Sequence, residues 1–211
     1  HAETGQILYE WWHNTVTQPP GNLNDLQAIY DWTAGQTRNI QFLTSFQTPD
    51  EPRDYWVGQM TGWLIAPMTG EYTFRIASDD QSRVWLSPDG NPANKTLICF
   101  HDDWTNYTEW TKFATQKSAP VFLTQGKLYW LEGLWRDGTG GGFLRVAWEG
   151  PEPIGKAATL ANLENMIIPN SCMLYLNSMT ESAIGAENPA PARGESNVGV
   201  GVQTLSWEPV G

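Results

Sequence analysis

The chain has 211 residues, 40% of them hydrophobic, which fits one large β domain or one domain with part of another. Its formal net charge of -11 argues against binding to nucleic acid or to anionic membranes, because both need clustered lysine and arginine. No apolar run approaches the roughly 20 residues that span a bilayer, so no membrane insertion is expected. The 12 tryptophans suit β cores and surfaces that stack on sugars equally.

Turn-forming residues dominate residues 1–56, which are predicted to be largely irregular. Within this segment, the alternation of residues 5–12 predicts a first strand. Residues 24–30 predict one helical turn. Either Asn24 or Asp25 would be its N-cap, because both side chains accept hydrogen bonds from unpaired backbone amides.

Residues 57–150 carry the strongest β pattern, with short strands separated by turns. The strands at 62–66 and 71–77 are joined by a tight turn at Thr69-Gly70, which predicts that they pair as a hairpin. Further strands are predicted at 83–86, 96–100, 120–123, 127–135 and 143–148. The predicted fold class is therefore all-β, an antiparallel β-sandwich or barrel with long loops and a C-terminal extension.

The chain divides into three predicted parts. Residues 1–155 form the main domain, and residues 156–185 form an extension that packs on it, with a short helix at 157–166 and a closing strand at 172–176. Residues 186–211 read as a proline-containing linker and the start of an immunoglobulin-like or fibronectin-like module. This arrangement predicts further domains in the parent protein.

The two cysteines, Cys99 and Cys172, lack the C-x-x-C spacing of a structural zinc site. The sequence leaves two alternatives for them. They form one long-range disulfide, or both are buried thiols.

Asp79 and Asp80 are the residues with the most distinctive chemistry. They follow the predicted strand 71–77, and neighbouring side chains of a strand point to opposite faces. A cis peptide bond between the two would direct both carboxylates to one ion. A hard dication such as calcium prefers oxygen ligands of this kind. A solvated turn is the ordinary alternative.

Residues 55–150 resemble the protective-antigen fourteen-kilodalton domain family, found in toxin protective antigen, fungal flocculins, adhesins and some glycosidases. The stretches that carry the resemblance are, in order, Gly62-Trp63-Leu64, Thr69-Gly70-Glu71-Tyr72-Thr73-Phe74, Ala77-Ser78-Asp79-Asp80, Val84-Trp85-Leu86-Ser87, Trp104-Thr105, Glu109-Trp110, Gly126-Lys127, Tyr129-Trp130, Gly140-Gly141-Gly142 and Val146-Ala147-Trp148. The resemblance implies that Asp79 and Asp80 hold calcium across a cis peptide bond. It also implies that the ion binds two vicinal hydroxyls of a sugar.

The glycine loop at 137–142 would complete the calcium shell under this resemblance. Its contributors would be Asp137 and the backbone of Gly140, Gly141 and Gly142, since glycines let carbonyl groups turn inward without a Cβ penalty. Related bacterial sequences often carry an aspartate at the position of Gly142. Two alternatives follow: Asp137 substitutes for that aspartate, or the site binds calcium more weakly.

Sugar contacts are predicted for Asp79 and Asp80 through the ion and for five residues near them. These five are His101, Asp102, Trp104, Trp135 and Thr139. Trp135 is the favoured aromatic contact, because it lies two residues before the glycine loop. The ordinary role of each tryptophan is in the core.

The sequence thus predicts a calcium-dependent carbohydrate-binding, lectin-like domain that is not an enzyme. It would belong to a secreted or cell-surface multidomain protein that binds glycans in adhesion or polysaccharide attachment. The alternatives are a structural spacer without a ligand and an accessory domain of a glycosidase. A remote alternative is a copper oxygenase that uses His1 with a second histidine.

Overall fold

Strands are the main regular element of the computed structural model, which describes residues 2–49 and 54–176. In chain order the strands are β1 (Ala2–Thr4), β2 (Ile7–His13), β3 (Arg38–Leu43), β4 (Trp56–Ile65), β5 (Gly70–Asp79), β6 (Ser82–Leu86), β7 (Thr96–His101), β8 (Val121–Leu123), β9 (Leu128–Asp137), β10 (Phe143–Glu149) and β11 (Met173–Leu176). Helix α1 spans Leu26–Ala34. Short 3-10 helices lie at Pro92–Asn94, Ala114–Gln116, Leu160–Asn165 and Asn170–Cys172.

Within the described residues, eight strands form a larger sheet and three form a smaller one. The larger sheet has the order β1-β11-β4-β9-β6-β7, and β2 pairs with both β3 and β4. The smaller sheet has the order β10-β5-β8. The pairings are antiparallel, and the two sheets form a sandwich, which confirms the predicted all-β class.

The core lies between the two sheets. Met60 and Leu64 of β4 belong to it together with Phe74 and Ile76 of β5, and all four are fully buried. Their spacing of two residues or a multiple of two gives each strand one inward face. Burying a large apolar side chain contributes about 1.5–3 kcal/mol, so these four side chains together contribute about 6–12 kcal/mol to folding.

The outer faces of the sandwich are covered by different elements. Helix α1 lies on the larger sheet, where Ile29 packs with Val57 and Leu134 in a second apolar cluster. The smaller sheet is covered through Trp110 and Leu163, which cluster with Phe143 and Ala147 of β10. The larger sheet therefore has an inner face toward the core and an outer face toward α1.

The predicted hairpin of residues 62–66 and 71–77 is wrong. β4 and β5 are consecutive in the chain but lie in different sheets, since β4 pairs with β2, β9 and β11 while β5 pairs with β8 and β10. The inward rows of the two strands meet across the core instead of side by side. An alternating pattern identifies the buried face of a strand, and it does not identify the partner strand.

The N-terminal third is more regular than predicted. β2 confirms the first predicted strand, while β1 and β3 were not predicted. The predicted helical turn is nine residues long, and Oδ1 of Asp25 accepts a hydrogen bond from the amide of Ala28 at 3.1 Å, which confirms the cap. The pattern of β3 is weak because its apolar Ile40 and Phe42 are about half exposed.

The C-terminal predictions are tested only up to residue 176. β11 confirms the closing strand, and the helix predicted at 157–166 is a 3-10 helix at Leu160–Asn165. The linker and module at 186–211 lie outside the described residues, as does His1. The division of the chain into three parts stays a prediction.

Both cysteines are free thiols in the structure. Cys99 is buried in the core and Cys172 is partly buried at its edge. Burial raises the pKa of the Cys99 thiol to about 12, so this thiol stays protonated at neutral pH. The sequence left a disulfide and two buried thiols as alternatives. The structure has no disulfide between Cys99 and Cys172.

None of the helices in the described part of the chain has the length and apolar character needed to cross a membrane.

Gly58 of β4 provides a test of the core packing. A Cβ atom at this position would lie 1.6 Å from Cζ3 of Trp135, whose buried ring stacks on Tyr9 at 5.6 Å between centroids. We expect Gly58→Ala to lower the free energy of unfolding by about 3 kcal/mol, because the ring has no free space to enter. Urea denaturation measures the loss. Gly21→Ala is the control, since nothing lies within 4 Å of its Cβ. Equal stability of the two variants would contradict this packing.

Candidate metal centre and ligand site

Three aspartates meet where the strands of both sheets end. Asp79 is the last residue of β5, Asp80 follows it, and Asp137 is the last residue of β9. The backbone amide of Asp80 donates a hydrogen bond to the carbonyl of Arg136 at 3.1 Å. The connection from the smaller to the larger sheet is thereby fixed beside the end of β9.

The three side chains converge on one point. One carboxylate oxygen from each of Asp79, Asp80 and Asp137 lies within 4.8 Å of the others. The peptide bond between Asp79 and Asp80 is cis, as expected from the sequence. The structure thus brings together the three carboxylates that were predicted as metal ligands, and their binding of a metal stays a prediction.

Asp80 also fixes the start of the glycine loop. Its Oδ2 accepts hydrogen bonds from Nη1 of Arg136 at 3.1 Å and from the backbone amide of Gly138 at 2.8 Å. Its carbonyl accepts a hydrogen bond from the hydroxyl of Ser78 at 2.8 Å. These bonds hold the pair of carboxylates and the loop in one arrangement.

Asp137 has the most unfavourable electrostatic surroundings. Its side chain is fully buried, and neither carboxylate oxygen has a hydrogen-bond partner within residues 2–49 and 54–176. Burial raises the pKa of this carboxyl to about 7, and the charges of Asp80 and Asp79 add to the increase. A buried ionised carboxylate without a partner is costly, and a cation beside it would offset that cost.

The donor set favours a hard cation. All side chains in the group are carboxylates, which suit calcium or magnesium, whereas zinc and copper prefer imidazole or thiolate ligands. Arg136 contacts this group through an ion pair with Asp80 at 3.1 Å. Calcium accepts about six to eight oxygens in an irregular geometry, so three carboxylates leave several positions for other oxygens.

The glycine loop leaves room for Asp137. A Cβ atom at Gly142 would lie 2.9 Å from Cβ of Asp137, so any larger residue at 142 would press on that side chain. Gly140 and Gly141 both have a φ of 105°, a conformation that favours glycine. The amide of Gly140 donates to Oδ1 of Asp54 at 2.9 Å. Coordination by the carbonyls of these glycines stays a prediction.

The structure corrects the predicted sugar contact of Trp135. Its side chain has no exposed surface, and its ring lies 5.6 Å from Tyr9 and 6.5 Å from Trp56 between centroids. A tryptophan near a loop fits a core and a binding surface equally well. Here the ring fills the space above Gly58, so it cannot face a ligand.

The predicted contact of His101 with sugar is corrected in the same way. Only 1% of its surface is exposed, its Nε2 lies 2.9 Å from Oγ of Ser78, and its Nδ1 faces the carbonyl of Asp103. Burial lowers its pKa to about 4, so the ring is neutral at pH 7. His101 therefore connects the loop at 102–105 to the residue before Asp79.

Trp104, Asp102 and Thr139 are exposed, and their ligand contacts stay predictions. Trp104 is 45% exposed and lies next to Thr105, whose amide donates to the carbonyl of Ser78 at 2.8 Å. This bond holds the backbone next to Trp104 against Ser78, the residue that precedes Asp79. Asp102 forms an ion pair with Arg83 and does not belong to that group. Thr139 is exposed in the glycine loop.

Three residues with a role in the site were missed by sequence reasoning. Arg136 contacts Asp80, Ser78 contacts His101, and Asp54 contacts the glycine loop. Arg136 directly precedes Asp137 in β9, and neighbouring side chains of a strand point to opposite faces. The pattern therefore placed Arg136 away from the site. For Ser78 the available signal was its position directly before the acidic pair. Asp54 lies far away in the sequence and gave no signal.

The pattern of the PA14 domain matches residues 13–160 of the chain. Among curated proteins, the chain is 30% identical over 146 residues to N-acetyl-beta-glucosaminyl-glycoprotein 4-beta-N-acetylgalactosaminyltransferase 1 of Mus musculus. The matched region covers 61% of this chain and 14% of that protein. The chain is 32% identical over 80 residues to fibrocystin-L of Homo sapiens, which covers 38% of this chain and 2% of that protein. The chain thus spans a small part of these relatives.

Two sugar complexes are similar to the chain in fold. The epithelial adhesin 9 A domain of Candida glabrata, solved with Galβ1-4GlcNAc, has a TM-score of 0.55 and 11% identity over 75% of this chain and 86% of that chain. The epithelial adhesin 6 A domain, solved with Galβ1-3GlcNAc, has a TM-score of 0.53 and 10% identity over 84% and 94%. At these identities the likeness shows the fold.

The buried histidine predicts a loss of stability in acid. Because the pKa of His101 is lowered from 6.5 to about 4, the unfolded state binds a proton before the folded state does as the pH falls. The resulting stabilisation of the folded state is complete above pH 6.5 and is lost between there and pH 4. We expect the chain to lose about 2 kcal/mol more than His101→Gln between pH 7 and pH 5.

Urea denaturation of both proteins at each pH measures this difference, and the carboxylates cancel because they are common to both. Parallel pH profiles for the two proteins would contradict the assignment.

Proposed function

Because the chain belongs to the PA14 domain family, we propose that it is a calcium-dependent, lectin-like carbohydrate-binding domain without enzymatic activity. The observation that carries the proposal is the carboxylate of Asp137. It is buried, it lacks a hydrogen-bond partner among the described residues, and it lies beside Asp79 and Asp80. A divalent cation is the species whose charge and coordination fit such a group.

The residues of the site have separate tasks in this proposal. Calcium held by Asp79, Asp80 and Asp137 would supply open coordination positions for two neighbouring hydroxyls of a sugar. Arg136 and Gly138 keep Asp80 in place through hydrogen bonds at 3.1 and 2.8 Å. Trp104 is 45% exposed, with the ammonium of Lys112 4.0 Å from the centroid of its ring, and the aromatic surface that stays exposed would contact the apolar side of a sugar ring.

The comparisons support glycans as the ligand class. Both adhesin domains with a similar fold were solved with disaccharides of galactose and N-acetylglucosamine. A domain of this type would attach a larger secreted or cell-surface protein to glycans or polysaccharide. The two curated relatives are much longer than the matched regions, which cover 14% and 2% of their length. This supports a domain that forms one part of a larger protein.

A spacer without a ligand is less well supported than a binding domain. In a spacer, a buried carboxylate such as that of Asp137 would only destabilise the fold. Gly142 nevertheless leaves space for this side chain, because a Cβ atom at 142 would lie 2.9 Å from Cβ of Asp137. One relative is named as a transferase, and the matched region covers 14% of it. A match to so small a part of that protein is no argument that this chain is catalytic.

Removal of either charge of the acidic pair tests the calcium site. We expect Asp79→Asn and Asp80→Asn each to weaken calcium binding by more than about 100-fold. Loss of a residue that only hydrogen-bonds to a metal ligand costs about 10–100-fold in affinity, and loss of the charged ligand itself should cost more. Calorimetric titration of calcium into chelator-treated protein measures the calcium affinity. Titration with a panel of neutral glycans that includes Galβ1-4GlcNAc, with and without calcium, measures the calcium-dependent sugar binding. Asp31→Asn on the exposed side of α1 is the control. Unchanged calcium affinity in both variants would refute the site.

Trp104 provides a test that separates sugar binding from calcium binding. We expect Trp104→Ala to weaken sugar binding by about tenfold, equal to roughly 1.4 kcal/mol, and to leave calcium affinity unchanged. Phe122→Ala is the matched control, because Phe122 is 64% exposed and pairs with Glu71 at the other end of β5. An equal loss in both variants would exclude Trp104 from the ligand surface.

A further inference from the structure

A cavity lies on the outer face of the larger sheet, beside helix α1. It has a volume of about 330 Å³, at the lower end of the range for small-molecule sites. None of Asp79, Asp80 and Asp137 lines it. Leu134 lines it, whereas the next residue, Trp135, belongs to the core on the other face of β9.

The pairing register of the strands builds this cavity. Glu10, Gln59 and Leu134 are opposite one another on β2, β4 and β9, and side chains directly opposite on neighbouring strands share a face. Trp12 and Val57 form the next row in the same way. Helix α1 packs on Val57 and Leu134 and leaves the space beside them open.

The cavity has an apolar floor and a polar rim. Val57, Leu134 and Ile29 are buried and form the floor. Tyr30 of α1, which is 41% exposed, and Gln59 belong to the rim. The amide nitrogen of Gln59 donates to Glu132 at 3.1 Å, which leaves its second N–H and its carbonyl oxygen available for a ligand.

The charges at the cavity cancel. Among the described residues that line it, Glu10 and Arg38 are the charged ones, and they form an ion pair with each other. The nearby Glu132 is compensated by Lys95 at 2.6 Å. The cavity therefore presents no uncompensated charge to an anion or a cation, and it favours a neutral ligand.

We propose that this cavity is a second saccharide site that binds one neutral sugar residue without calcium. Trp12 and Tyr30 provide aromatic surface for the C–H face of a pyranose ring. Gln59 and the Glu10–Arg38 pair provide donors and acceptors for its hydroxyls. A neutral ring with hydroxyls on its edge matches both the size and the balance of the lining.

The experiment uses the whole chain in excess chelator, so that the acidic group cannot contribute through a metal. The probes are the methyl glycosides of galactose, glucose, mannose and N-acetylglucosamine, with glucuronic acid and glucosamine as charged counterparts. Nuclear magnetic resonance titration follows the backbone amides. We expect at least one neutral glycoside to bind with a dissociation constant on the order of millimolar and to shift the amides of Tyr30 and Gln59.

Tyr30→Ala and Gln59→Leu should each weaken this binding by about tenfold, which corresponds to one lost stacking contact or hydrogen bond. Asp31→Ala and Gln125→Leu are the matched controls at exposed positions on the same helix and in a turn, and both should bind normally. Thermal melts verify that each variant is folded.

Asp80→Asn should leave binding in chelator unchanged, which separates this site from the calcium site. Three results would overturn the proposal: no binding of any neutral probe in chelator, tighter binding of a charged probe, or unchanged binding in both rim variants.

Discussion

Mutual repulsion of three carboxylates is the constraint around which the end of the sandwich is organised. Asp79 ends β5 of the smaller sheet, Asp80 follows it, and Asp137 ends β9 of the larger sheet, so the three meet where the chain crosses between the sheets. Arg136 compensates one of these charges, while Asp137 stays buried beside the other two. Folding and cation binding are therefore linked here, because the least favourable group of the folded state is the one that a cation would stabilise.

Much of the fold could be predicted from the sequence because alternation and turn residues act locally. The strands of residues 57–150 and the cap at Asp25 depend on neighbours within a few positions. The pairing of β4 and β5 could not be predicted in this way. A strand with one apolar face can pair beside another strand or pack across from it, and only the complete set of strands decides between these arrangements.

The same division applies to the site. The acidic pair was singled out because adjacent carboxylates are unusual at the end of a strand, whereas Asp137 was predicted as a ligand only from the family resemblance and its position in the glycine loop. Trp135 and His101 were misjudged, since a pattern does not tell whether a side chain near the site faces the ligand or supports it. His101 supports it: the buried ring holds the loop at 102–105 against Ser78, which lies next to Asp79.

The pairing of β1 with β11 determines how the domain bears mechanical load. Ala2 is opposite Leu176, so the N-terminal end of β1 and the C-terminal end of β11 lie at the same end of a short antiparallel ladder. A pulling force applied through these two ends loads the hydrogen bonds one after another, as in opening a zipper, instead of all at once in shear. In a tethered protein under tension, these two strands would separate first, while β4, β9 and the acidic end of the sandwich would stay assembled.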